Sequence, residues 1–145
     1  MALLLAVEHR YVEVVELLPA QPEVDVNARN VDTEQPFFVA AALGDEKIAC
    51  LLSEKTGIDL WIQNSSGVTP LDMAAHMGHE GMVKILLDKT LEVNLCPDDH
   101  STPLISAIRS GHVNIVNLLL QDNRVDPNVT DSSPSTPIHH IEEMY

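Results

Sequence analysis

The sequence predicts an all-α array of two-helix units, and three observations carry that reading. The first is an internal period of 33 residues. Gly67-Val68-Thr69-Pro70-Leu71 returns as Ser101-Thr102-Pro103-Leu104, and Gly78-His79 returns as Gly111-His112. The second is punctuation suited to short helices at the same place in each copy. The third is composition: 45% of the 145 residues are hydrophobic but only 3% are aromatic, so the core must be built from Leu, Ile, Val, Ala and Met. A period of this length signals a stacked repeat, in which no unit can bury its apolar face alone.

The two strong copies justify the elements. Thr69 and Thr102 stand where a helix cap accepts backbone N–H groups. Pro70 and Pro103 fall in the first helical turn, where the missing N–H costs nothing. Leu71, Ala74 and Ala75 form one apolar face. Gly78 and Gly111 then end the helix, because a left-handed C-cap favours glycine. A second helix follows, with Met82, Val83, Ile85, Leu86 and Leu87 matched by Ile115-Val116-Asn117-Leu118-Leu119-Leu120. A polar connection closes each unit.

Weaker copies flank these. Gln35-Pro36-Phe37-Phe38 through Gly44, then Ile48 to Leu52, forms one; Leu3 to Arg10, then Val14 to Leu18, forms another. Ser135-Thr136-Pro137-Ile138-His139 opens a partial fifth. The expected organisation is a single array over 1–145, with units at about 1–29, 30–63, 64–96 and 97–130 and a partial unit at 131–145. A closing Asn recurs at Asn27, Asn94 and Asn128, with Trp61 in its place in the second unit.

Charge excludes several functions. Eight Lys and Arg against 22 Asp and Glu give a formal net charge of −14. Phosphate backbones and anionic membranes would be repelled, so neither nucleic acid nor a membrane is an expected partner. No apolar run approaches the ~20 residues of a membrane-spanning helix. The apolar start Ala2–Val7 meets Glu8-His9-Arg10 at once and lacks a signal peptide's features. Two cysteines, Cys50 and Cys96, cannot make a disulfide framework, and the expected compartment is the cytoplasm or the nucleus.

Thr-Pro-Leu, Ala-Ala, Gly-His, Ile-Val-x-Leu-Leu-Leu and Val-Asn, in that order, resemble the ankyrin repeat. The resemblance is strong in Gly67 to Asn94 and Ser101 to Asn128, and weaker in the units before. It implies helix–turn–helix units with hairpin-like loops in an ankyrin-repeat solenoid, and a scaffold that binds a partner protein through its concave face. Carried over position by position, that face comprises Asp32, Glu34 and Leu43, then Ser65, Ser66, Val68, His76 and Met77, then Asp98, Asp99, Ser101, Arg109 and Ser110. Glu8, His9, Val31 and Ala42, with Ser132, Ser133 and Ser135, extend it. These positions vary between copies while framework positions repeat. The stripe is acidic at the tips with apolar spots at Leu43 and Met77, which predicts a partner with a basic rim and an apolar anchor. The resemblance also implies that Asn94 and Asn128 stabilise loops; asparaginyl hydroxylation there is the second implied role.

Three departures mark this chain. Arg10 replaces the glycine before the second helix, which predicts a strained or remodelled turn. Trp61 loses the closing Asn's hydrogen bonds. Neither end carries a polar capping unit, which predicts a segment of a longer protein. The alternative function is a spacer or self-associating segment that packs through end residues such as Leu3 and Ile138.

Enzymatic chemistry finds no support in the sequence. His79 and His112 are repeat positions. His139, His140, Glu142 and Glu143 supply at most two converging ligands, short of the three or four a zinc site needs. There is no nucleophile elbow, phosphate loop or Cys/His signature. No catalytic residue, metal or cofactor is expected, and a groove near His76 and Arg109 is where a small-molecule site would have to lie.

Overall fold

The computed structural model describes residues 1–90, 92–94 and 101–129. Among them are eight α-helices and no strand. They come in pairs: α1 (Ala2–Glu8) with α2 (Val12–Leu17), α3 (Pro36–Leu43) with α4 (Glu46–Ser53), α5 (Pro70–Met77) with α6 (Glu80–Lys89), and α7 (Pro103–Arg109) with α8 (Val113–Gln121). The fold is all-α, as the period predicts. The chain separates into two compact units, Met1–Pro70 and Leu71–Tyr145.

Within the first unit, α1 packs on α3 and α2 on α4. Leu3, Leu4, Ala6 and Val7 of α1 meet the nearly continuous apolar run of α3, in which Phe37 and Phe38 are fully buried. Leu3 is therefore a core residue, only 1% exposed, which corrects the expectation that it offers an adhesive end. Pro19 halts α2, because it has no N–H to donate into the helix, and the chain tightens into a 3₁₀ turn over Leu18–Ala20. Within the second unit α5 buries Leu71, Ala74 and Ala75, and α6 packs on α8; Met82 and Leu86 of α6 and Ile115 and Leu119 of α8 are buried.

The helix boundaries have the physical causes the sequence suggests. Thr102 Oγ1 accepts the N–H of Ile105 at 3.3 Å, capping α7. Gln35, in the Thr position of α3, makes no cap; its Nε2 donates instead to the Asp59 carbonyl at 2.6 Å. The C-terminal turns share one pattern. Gly111 N–H reaches the Ile108 carbonyl and His112 N–H the Ala107 carbonyl, the pairing of a Schellman turn. Arg10 N–H to Val7 and Tyr11 N–H to Ala6 repeat it. Arg10 thus adopts the left-handed conformation at φ 57°, without glycine. Its guanidinium recovers part of the cost: Nη2 donates to the orphan Leu43 carbonyl at the end of α3, 3.0 Å away.

Candidate functional site

The loop tips are built by two asparagines. In the first unit Asn30 Oδ1 accepts the N–H groups of Asp32 at 3.0 Å and Glu34 at 2.9 Å. Asn64 Oδ1 does the same for Ser66 at 3.0 Å and Val68 at 3.1 Å. The backbone closes each tip: Asn30 N–H to the Glu34 carbonyl, and Asn64 N–H to the Val68 carbonyl. The turn needs one left-handed residue, supplied by Thr33 at φ 61° and Gly67 at φ 74°. Ser65 N–H then donates to the Asp32 carbonyl at 3.3 Å and ties one tip to the next. Asp32, Ser65 and Ser66 are exposed at these tips, with Glu34 and Val68 half-buried at their bases. Sequence reasoning passed over Asn30 and Asn64, although their 34-residue spacing was a readable signal.

The second unit brings four of the expected residues into two pairs. Ser110 Oγ lies 3.0 Å from His76 Nδ1. Arg109 Nη1 donates to Ser101 Oγ at 2.7 Å. His112 holds the same region from below: its Nε2–H donates to the His76 carbonyl at 3.0 Å, satisfying an acceptor near the end of α5. Met77 is exposed beside His76, at the last position of α5. Leu43 occupies the same place on α3 and is half-buried, its carbonyl engaged by Arg10. Asp98, Asp99, Ser132, Ser133 and Ser135 lie outside the described residues, as do Cys96, Ile138 and His139.

Below the tips, the closing asparagines clasp successive loops. Asn27 Nδ2 donates to the Gly57 carbonyl at 2.7 Å, and its Oδ1 accepts the Asp59 N–H at 2.9 Å. Asn94 makes the same pair with Arg124 and Asp126, at 2.7 and 2.8 Å. Both ends of each amide are engaged. Trp61 has one donor and no acceptor, so this two-way clasp is beyond it; its backbone N–H turns to Asp59 Oδ1 at 2.9 Å.

Arg124, which the sequence did not single out, joins three parts of the second unit. It donates to the carbonyls of Leu87 (2.7 Å) and Thr90 (2.6 Å), closing the C-terminal end of α6, and it pairs with Asp122 at 2.5 Å. The hydrogen bonds from Arg124 hold the Asp122 carboxyl below its ordinary range. A depressed carboxylate contributes stability above its unfolded pKa and loses it as pH falls through its folded one. Below about pH 4, the urea midpoint of the wild type is therefore expected to drop more steeply than that of Asp122→Asn. Parallel pH profiles would remove this role.

One open groove of about 290 Å³ is lined by Gly78, Glu80, Gly111 and His112. His76 and Arg109 do not line it. Among the described residues, no three His, Cys, Asp or Glu side chains converge as metal ligands, and no helix is long and apolar enough to cross a membrane.

A family model for ankyrin repeats, in three copies, matches residues 37–131. An ankyrin repeat and KH domain-containing protein of Caenorhabditis briggsae is 30% identical over 123 residues, 83% of this chain and 5% of its own. The SMC5-SMC6 complex localization factor protein 1 of Homo sapiens is 42% identical over 77 residues, 52% of this chain and 7% of its own. A glycerophosphocholine phosphodiesterase of Candida albicans is 28% identical over 123 residues, 83% of this chain and 11% of its own. The chain thus spans from 5% to 11% of the length of these relatives.

Proposed function

This chain belongs to the ankyrin-repeat family, whose members are generally protein-interaction modules without enzymatic activity, and from that premise we propose that it is a binding scaffold within a larger protein. The array runs through the whole chain. It meets its partner on the side formed by loop tips and first-helix ends, the concave side in the family. One observation carries the reading: every described position of the variable stripe is exposed or half-buried, and none is buried, while the framework residues of the same helices are buried. Asp32, Glu34, Ser65, Ser66 and Val68 make the polar tips. Leu43 and Met77 are the apolar spots, and His76, Ser101, Arg109 and Ser110 are the hydrogen-bonding groups of the stripe. Asp98 and Asp99 extend the acidic rim. The partner is a protein with basic groups around an apolar anchor, not nucleic acid or lipid. The exposed free thiol of Cys50 suits a reducing compartment, cytoplasm or nucleus.

Affinity capture from a cytosolic extract tests this. Wild type is compared with His76→Ala/Met77→Ala/Arg109→Ala, after circular dichroism confirms equal helicity. Loss of a specific partner from the triple variant is the expected result. Equal capture by both would move the site elsewhere on the array.

The spacer reading has one observation in its favour: Met1, Leu5, Val14 and Leu17 leave the first helix pair apolar toward solvent.

A further inference from the structure

We propose that the groove between α6 and α8 grips an extended segment of a partner protein by its main chain, on a surface separate from the tip stripe. The groove is continuous. The concavity at the start of the two helices shares Glu80 and Asn114 with a second, of about 280 Å³, lined by Glu80, Lys84, Asn114, Asn117, Leu118 and Gln121. Its α8 wall is a row of amides. Asn114, Asn117 and Gln121 stand at i, i+3 and i+7, on one face of the helix, and all three are exposed. The row belongs to this helix alone. The same positions hold Gly81, Lys84 and Asp88 one unit earlier, and Lys47, Cys50 and Glu54 one before that. Lys or Glu would solvate such a face equally well and are better helix formers than Asn, so the two asparagines weaken α8 and bury nothing. Asn27, Asn30, Asn64 and Asn94 all engage their side-chain amides within the chain. Among the described residues, Asn117 and Gln121 engage neither end of theirs.

The chemistry of the row selects the occupant. A carboxamide offers a donor and an acceptor and no charge, and a peptide main chain offers the same in return. Along α8, Asn117 and Gln121 are separated by about 6 Å. An extended chain presents the N–H and C=O of alternate residues on one edge every ~6.7 Å. The two amides therefore meet successive main-chain pairs of one edge, and Asn114 carries the row one step further. Opposite them, Lys84 Nζ donates to Glu80 Oε1 at 2.8 Å, and Asn114 adds a weaker bond to the same carboxylate. That carboxylate can only accept, so Asn114 gives it the NH2 end and keeps its carbonyl oxygen for the occupant. Phosphate-bearing ligands are disfavoured by the net charge of −14. Nor would stacking of a further repeat fill the groove. Second helices pack side by side, as α6 does on α8, so another would take the side of α8 away from α6.

The probe is a pool of capped hexapeptides, uncharged and β-branched at alternate positions, titrated into the full chain to millimolar concentration. The side-chain NH2 resonances of Asn114, Asn117 and Gln121 are expected to shift together and to saturate. The same pool N-methylated at every residue lacks main-chain N–H groups and should bind about tenfold more weakly. Asn117→Ala/Gln121→Ala, followed at Asn114, should lose a similar factor. Its helicity should hold or rise, because alanine is the stronger helix former, so the loss is not a folding defect. His76→Ala/Met77→Ala/Arg109→Ala should bind the pool as wild type does, so this surface and the tip stripe can fail separately. Equal binding of the N-methylated pool, no shift at these amides, or unchanged binding by the double-alanine variant would each overturn the proposal. So would NH2 groups already protected from exchange before peptide is added, by this chain or by a second copy.

Discussion

Phe37→Ala is expected to lower the free energy of unfolding by about 3–5 kcal/mol, read from urea denaturation followed by circular dichroism. The chain has two phenylalanines, both fully buried side by side on α3. The other buried apolar side chains among the described residues are aliphatic or Met, so truncating a ring removes a large share of the packed volume. A loss of that size is a large part of the roughly 5–15 kcal/mol typical of a domain. Leu17→Ala is the control. Leu17 is 68% exposed, and its truncation is expected to stay within about 0.5 kcal/mol. A Phe37→Ala loss under about 1 kcal/mol would mean that α3 is not at the heart of its unit.

Gly78→Ala and Gly111→Ala form the second pair. Both glycines sit in the left-handed region, at φ 83° and 73°, so both alanines take on the ~1–2 kcal/mol cost of that conformation. Only Gly78 is also crowded. A Cβ there would lie 2.7 Å from Cε1 of His112, whereas one on Gly111 would meet nothing within 4 Å. The imidazole would have to move, and its bond to the His76 carbonyl would be lost. Gly78→Ala is therefore expected to cost about 1 kcal/mol more than Gly111→Ala. Adding His112→Ala should erase most of the difference in a double-mutant cycle. If the two glycine variants are equal from the outset, the ring does not rest on Gly78.

These two predictions mark what the sequence makes legible. The helix pairs could be read because Pro70, Pro103, Gly78 and Gly111 act locally: each fixes a boundary through its own backbone. Burial of Leu71, Ala74, Met82, Leu86 and Leu119 followed from periodicity for the same reason. The connections between units were harder to read. Arg10 keeps a left-handed turn because a carbonyl 33 residues away rewards its side chain. Arg124 closes α6 from 34 and 37 residues away. Nothing near either arginine announces its acceptor. Leu3 was misread as an adhesive end because its burial comes from tertiary packing that the residues beside it do not announce. The stripe was legible as variation against a fixed frame, but Asn30 and Asn64 were overlooked, since an asparagine in a polar loop looks like any other turn residue.

The way those two asparagines hold the tips has a practical consequence. Asn30 and Asn64 fix their loops through main-chain N–H groups, so the shape of a tip does not depend on the side chains at its apex. Val31 and Asp32 in one loop, Ser65 and Ser66 in the other, can be exchanged in library form without redesigning the backbone beneath them. New specificities could be written onto this scaffold at four codons, provided the asparagines, Thr33 and Gly67 are left alone.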